Sequence, residues 1–386
     1  MIPVTQLRLK HALSARRGVT VATIVAAGAL AAGALGAAPA GATTHFSTYR
    51  QINLVSDQAG KANMRDPDLV NAWGLAASPG TNTSPGSPLW VADNGSDKAT
   101  LYAAGSSPTS VSKVPLTVDV TGAAPTGQVF NADPNAFTVS DSQGNSGSSL
   151  FLFDTENGTI DGWSPNVGGP SPSTVTEVAR DNGANAVYKG LAVATVKGKS
   201  FLYATNFRSG RVEAYDSTFT PVEMPGGLFV DPGLPAGYGP FGIAEIKGQL
   251  YVSFAQQDAT LHDDVAGPGH GFVDVFTNTG AFVRRLVTRG ALNSPWGMAL
   301  APRSFGRFGG DLLVGNFGNG LINVYNATNG AWLGRLSQRN GLPIQIDGLW
   351  GLMFGNGNAA GTNELIFSAG PSKESHGLLG KIVVTH

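Results

Sequence analysis

The chain has 386 residues, with 25 basic and 26 acidic side chains, 53 glycines and no cysteine. Charged residues make up 13%, about half the usual 25% share, and no basic block is present, which excludes nucleic acid and anionic membrane as partners. Without cysteine there is no thiolate metal centre, no Cys nucleophile and no disulfide, so the fold must be held by packing alone.

The first 42 residues read as a secretory leader. Arg8, Lys10, Arg16 and Arg17 stand without an acid, an Ala-rich apolar run follows from Val19 to Leu35, and Ala40-Gly41-Ala42 supplies small residues for cleavage before Thr43. Paired arginines in "ARRGVT" fit the twin-arginine route as well as the general secretory one. All four basic residues of the leader come from the 25, and none of the 26 acids does, so the mature chain carries a net charge of −5. No later segment approaches the roughly 18 unbroken apolar residues of a membrane span. Residues 43–386 are therefore expected to form one secreted domain.

The mature part spells one phrase repeatedly. "NAWGLAAS" begins at Asn71, "KGLAVATV" at Lys189, "FGIAEI" at Phe241, "PWGMALA" at Pro295 and "LWGLMF" at Leu349. The glycines of these phrases, Gly74, Gly190, Gly242, Gly297 and Gly351, are 116, 52, 55 and 54 residues apart. The first gap reads as two periods, with "NAFTVS" (135–140) as a degenerate start of the second unit. Each unit continues with a second β-patterned run ("PLWVADN", "SLFLFDT", "SFLYATN", "QLYVSFA", "DLLVGNF", "ELIFSAG") and a third with in/out alternation, such as "GFVDVF" or "LINVYN". A fourth run, such as "AFVRRLVT", closes the unit. The turns "TENG", "FRSG", "TNTG", "FGNG" and "ATNG" separate them, with Gly where hairpins need positive φ.

Four short antiparallel strands repeated six times predict an all-β, six-bladed β-propeller. A β-solenoid is the rival, but its repeats are shorter, roughly 20–30 residues. The last unit offers only three strands, while "TYRQINLVSD" (48–57) precedes the first unit as a strand without a blade. Adding it to the last blade closes the ring and hides both sheet edges. The tryptophans of the repeated phrase are expected to pack between blades.

These phrases, together with "DPDLVNAWGLAASP", "PTGQVFN", "LPAGYGPFGI" and "LVTRGALNSPWGMALAP", resemble a family of exported bacterial six-bladed propellers related in pattern to NHL-repeat proteins. Some members of that family carry a PEP-CTERM sorting tail, which "GKIVVTH" does not match. The resemblance implies fold and export and brings no activity with it.

Candidate site residues fall into three sets. Polar residues ahead of the inner strands are Asn71, Asn135, Asn185, Asn293 and Asp347; residues ending the second strands are Asp93, Asn94, Asp154, Asn206, Gln256, Gln257 and Asn316. Both sets suit strand-end and turn capping as well as a ligand. Short oxygen ligands converging on an axis suit Ca²⁺, the candidate cofactor, with Asp347, Asp93 and Asp154 as its carboxylates. The third set is His270 and His376, in matching loops that also carry His262, Asp263, Asp264 and Glu374, a combination suited to a transition metal or acid–base work. No His-Glu-x-x-His, Gly-x-Ser-x-Gly or Walker pattern occurs. The functional expectation is a monomeric, secreted ligand-binding or protein-interaction module, whose partner is a small polar ligand, an extracellular protein or a cell-wall component. The alternative is a Ca²⁺-dependent hydrolase or lactonase acting at the channel mouth.

Overall fold

The computed structural model describes residues 47–385, except 81–84, 106, 225–228 and 359. The leader expected over residues 1–42 lies outside the described residues. Six antiparallel sheets follow one another as blades, each running from an inner to an outer strand. Their inner strands are Ala72–Ala76, Pro125–Phe130, Tyr188–Val196, Tyr238–Ile246, Pro295–Leu300 and Leu349–Phe354. Each neighbours the next, and the last touches the first, so the six-bladed ring is closed.

Closure follows the expected strand exchange. Thr48–Ser56 pairs antiparallel with Leu378–Thr385, the third strand of blade 6, from Thr48 opposite Thr385 to Ser56 opposite Leu378. The short strand Met64–Arg65 adds in parallel beyond it. Tyr49, fully buried, tightens this clasp: its hydroxyl donates to the Phe305 carbonyl at 3.2 Å, and its ring lies 5.0 Å from that of Phe305. Burying a side chain of this size contributes about 2 kcal/mol.

The second blade departs from the sequence reading. Its inner strand is Pro125–Phe130, "PTGQVF", and the repeating glycine is Gly127. The stretch "NAFTVS" instead enters a separate hairpin, Thr138–Ser140 with Ser146–Ser148, inserted before the second strand. The phrase was hidden because Thr126 replaces the usual aromatic and the insertion spoils the spacing.

In every blade the inner strand carries one residue more than its partner at this glycine. In blade 1, for example, Ala72 pairs with Asp93 and Leu75 with Val91; in blade 6, Leu349 pairs with Ala369 and Leu352 with Phe367. The same slip occurs in blades 2 to 5. Such a bulge bends the strand and re-aims side chains. Here it turns the residue before the glycine toward the axis in five blades, whereas in blade 2 the Thr126 hydroxyl bonds Asp154 and the Tyr188 carbonyl.

The glycines themselves sit against the next blade. A Cβ on Gly74 would stand 2.5 Å from the Thr126 carbonyl oxygen; on Gly242, 2.2 Å from that of Trp296; on Gly297, 2.4 Å from that of Trp350; and on Gly351, 2.6 Å from that of Trp73. Only glycine allows the blades to approach so closely. Side chains satisfy the disturbed backbone: Ser253 and Ser368 hydroxyls accept from Gly242 and Gly351 N–H at 2.9 Å, and Asp154 accepts from Gly127 N–H at 2.6 Å.

The tryptophans do not pack between blades as expected. Trp73, Trp296 and Trp350 meet Phe207, Phe241 and Ala255 in one cluster drawn from five blades, which is possible only on the axis. Trp73 stacks on Trp350 with centroids 3.4 Å apart, and Trp296 meets both edge-on at 5.9 and 5.7 Å. The channel is thus plugged by aromatic rings.

Away from the axis, apolar clusters fill the spaces between consecutive blades. This changes the meaning of the alternation in the third strands. In Phe272–Thr277 and Ile322–Tyr325 the polar members Asp274 and Asn323 are fully buried, because both faces of a middle strand meet a neighbouring blade. Only outer strands face water, as in Trp332–Arg335, where Trp332 is 54% exposed. The five turn glycines, Gly158, Gly210, Gly280, Gly320 and Gly330, all adopt the positive φ expected of them.

Asp154 is the acid at a bulge. It is fully buried, accepts from Thr126 Oγ1 at 2.9 Å, and leaves its second oxygen without a partner. Burial pushes its carboxyl up to about 7, against the pull of the Thr126 and Gly127 donors. The native chain therefore keeps a proton that the unfolded chain loses from about pH 4 upward, so this group's contribution falls as pH rises from about 4 to 7. Asp154→Asn is expected to remove that slope, worth at most about 4 kcal/mol across the window. Urea unfolding of both proteins at pH 4.5 and 7.5 checks it: the wild type should lose more stability than the variant, and equal losses contradict the assignment.

Candidate functional site

Because the first two strands of each blade are antiparallel, the start of the inner strand and the end of the second lie at one mouth. Loops following the second strands gather there, over the aromatic plug. They enclose a pocket of about 280 Å³ lined by Asn71, Trp73, Asn94, Glu156, Lys189, His262, Asp263, Asp264, Phe317, Trp350 and Glu374. Residues from all six blades contribute. Both sequence sets, strand starts and strand ends, therefore share this mouth.

A chain of polar contacts runs round the pocket. Asn71 Nδ2 donates to Glu374 Oε1 at 3.1 Å and to Asn94 Oδ1 at 3.0 Å. Asn94 Nδ2 donates to Glu156 Oε2 at 2.9 Å. The other Glu156 oxygen pairs with Lys189 Nζ, which also lies 3.5 Å from Asp263 Oδ1, and His262 Nδ1 is 2.8 Å from that same oxygen. Trp350 Nε1 donates to Asn71 Oδ1 at 3.3 Å, tying the belt to the plug.

Lys189 occupies the axial position that is aromatic in blades 1, 4, 5 and 6. It is 2% exposed, its Nζ lies 5.4 Å from the Trp73 ring centroid, and its carbonyl accepts from Trp296 Nε1 at 2.7 Å. A buried ammonium needs a partner, and removing Glu156 would cost about 3–5 kcal/mol. Four carboxylates, those of Glu156, Asp263, Asp264 and Glu374, face this one lysine and His262. Burial pushes the carboxyls of Asp264 and Glu374 upward; for Glu374 the Asn71 hydrogen bond opposes the rise and Glu156 adds to it. The mouth favours cationic and hydrogen-bonding groups.

The sequence candidates divide sharply. Asn71 and Asn94 belong to the belt. Asp93 and Asp154 are fully buried within their blades; Asp93 accepts from Thr100 Oγ1 at 2.7 Å. Asp347 accepts from Ser372 N–H at 2.8 Å, and none of these three lines the pocket. Asn206 bonds Glu213 Oε1 at 2.8 Å, Asn316 bonds the Ala291 carbonyl at 2.8 Å, and Asn293 accepts from Gly267 N–H at 2.7 Å. Gln257 donates to the Phe207 carbonyl, and the Asn185 carbonyl accepts from Asn206. The Asn135 N–H donates to Asp133. These are capping contacts.

The two histidine loops do reach the mouth, but through other residues. His270 donates from Nδ1 to the Val265 carbonyl at 2.8 Å within its own loop, and His376 Nδ1 bonds Asp57 at 2.7 Å. Their loops deliver His262, Asp263, Asp264 and Glu374 instead. Ligand-type atoms of Glu156, His262 and Asp263 lie within 4.8 Å of one another, the set among the described residues fit to hold a metal ion.

Sequence reading missed Glu156 and Lys189. Glu156 sits in the turn "TENG", where its neighbours explain the residue without it. Lys189 carried a signal: a cation immediately before the repeated glycine, in "KGLAV", where the other complete phrases have Trp or Phe. The opposite mouth is different in kind, a funnel of about 340 Å³ lined mainly by aliphatic side chains such as Leu75, Val129, Ile243 and Met298.

No profile of a known protein family matches the chain. Among solved structures, an α-L-arabinanase from Penicillium chrysogenum superposes with a TM-score of 0.51 at 11% identity, covering 87% of this chain and 98% of that one. A PQQ-bound aldose sugar dehydrogenase from Streptomyces coelicolor gives 0.50 at 13%, covering 88% and 98%. At such identities the likeness concerns the propeller fold alone. Two uncharacterised proteins of Acanthamoeba polyphaga mimivirus are far nearer in sequence. One is 33% identical over 341 residues, 87% of this chain and 80% of the viral one. The other is 33% identical over 348 residues, 87% and 86%. The relatives found are thus viral, and the NHL-like and bacterial character implied by the earlier resemblance does not rest on them. With a third of its residues shared along most of both lengths, the chain belongs to the family of these mimivirus proteins.

Proposed function

We propose that the chain is an exported propeller that binds a small polar ligand in the axial pocket above the aromatic plug. The belt from Glu374 to His262 carries this reading, because donors and acceptors from separate blades converge on one space. A pocket of about 280 Å³ lies just below the range of about 300–1,000 Å³ typical of drug-sized ligands. It suits a ligand the size of a monosaccharide or an amino acid. The surplus of carboxylates favours hydroxyl or ammonium groups on that ligand. A hydrolase reading would rest on these same carboxylates; Asp347, Asp93 and Asp154 do not line the pocket.

A panel of amino acids, diamines, mono- and disaccharides at millimolar concentration, followed by calorimetry on any compound that raises the melting temperature, tests the site. At least one compound should bind, and Asn94→Ala and Glu374→Gln should each weaken it about tenfold, near 1.4 kcal/mol. A panel without a binder, or binding indifferent to both variants, contradicts the assignment.

Export rests on the leader pattern of residues 1–42. Mass spectrometry of protein recovered outside an expressing bacterium should show a chain beginning at Thr43. A full-length chain retained in the cells contradicts export.

A further inference from the structure

Within the axial pocket, one corner has the chemistry of a metal site. Glu156 comes from the turn after the second strand of blade 2, and His262 and Asp263 come from the long loop of blade 4. Two carboxylates and an imidazole from two non-adjacent blades thus meet, with ligand-type atoms within 4.8 Å of one another. The corner already holds a cationic group: Lys189 Nζ contacts Glu156 Oε1 and stands 3.5 Å from Asp263 Oδ1. An ammonium and a divalent ion seek the same carboxylates, so the lysine marks where positive charge is most stable.

A second observation points to a ligand in this space. Trp73, which lines the pocket and is 2% exposed, has an indole N–H with no acceptor. A buried donor left unpaired costs about 1–3 kcal/mol, whereas the neighbouring indoles of Trp296 and Trp350 are both paired. The Trp73 N–H can donate to an oxygen placed beside it.

We propose that Glu156, His262 and Asp263 bind Zn²⁺, displacing the Lys189 ammonium, and that the coordination position left open takes an oxygen ligand within reach of Trp73. One imidazole with two carboxylates suits a borderline ion such as Zn²⁺. Ca²⁺ prefers six to eight oxygens, more than this corner supplies. The inference rests on the axial pocket being the binding site and names one occupant of it.

Calorimetry with Zn²⁺ on the untagged full chain, with Ca²⁺ and Mg²⁺ as comparators, tests it. One equivalent of Zn²⁺ should bind, with Ca²⁺ and Mg²⁺ at least about a hundredfold weaker. His262→Ala, a half-exposed position whose loss leaves the core intact, should weaken Zn²⁺ binding at least about tenfold, as should Asp263→Asn. Lys189→Met should tighten it at least about tenfold, because the competing cation is gone. Absence of Zn²⁺ binding in the wild type overturns the proposal, and so does binding that survives His262→Ala unchanged. Weaker binding in a folded Lys189→Met overturns the displacement. If Zn²⁺ fails while an organic compound still binds in an Asn94-dependent way, the metal is refuted and the pocket stands; if neither binds, both fall.

Discussion

Round the axis, a glycine of each inner strand lies against the backbone of the next strand; at five of the six the distance leaves no room for a Cβ, and at Gly190 the fit is tight at 3.0 Å. Everything else in the structure depends on that approach. It requires a bulge, because the inner strand must bend away from its own blade to meet its neighbour. The bulge in turn hands a side chain to the axis from five of the six blades. The plug and the pocket floor are two consequences of one local deformation, repeated.

The identity of the axial side chain then decides what each end of the channel can do. Aromatic residues in four blades fill the centre and separate an aliphatic funnel from a polar mouth. At Lys189 the rule is broken. A buried lysine is costly unless opposed, and the opposition comes from loops of two other blades, through Glu156 and Asp263. The exception to the structural pattern is therefore what gathers charged groups at one point. A fold that closed on aromatic residues alone would have no reason to hold carboxylates there.

Much of the architecture was legible because blades obey a period. Spacing of Gly190, Gly242, Gly297 and Gly351 revealed the repeat, and the spare strand at residues 48–57 revealed how the ring closes. Gly127 escaped because Thr126 precedes it and a hairpin follows it, so neither the phrase nor the interval was intact. The strand pattern alone places the tryptophans in the spaces between blades, since it gives no sign of a bulge that turns a side chain by one face. Site residues were legible only in part. Loops bearing His262 and Glu374 stood out by their length and composition, but which side chain of a loop points inward is set by turns that no periodicity records. His270 and His376 look equivalent in sequence, yet His270 is taken up within its own loop and His376 by Asp57 at the other end of the chain.

The central claim is that glycine at the bulge is what lets the blades meet, and substitution of Gly297 tests it most directly. Urea unfolding of Gly297→Ala should show a loss of about 2–3 kcal/mol, the cost of forcing a methyl group into a packed interface. Gly361→Ala, where a Cβ would meet only side-chain atoms at 3.3 Å or more, should stay within about 0.5 kcal/mol of wild type. Equal stability of the two variants would contradict the account.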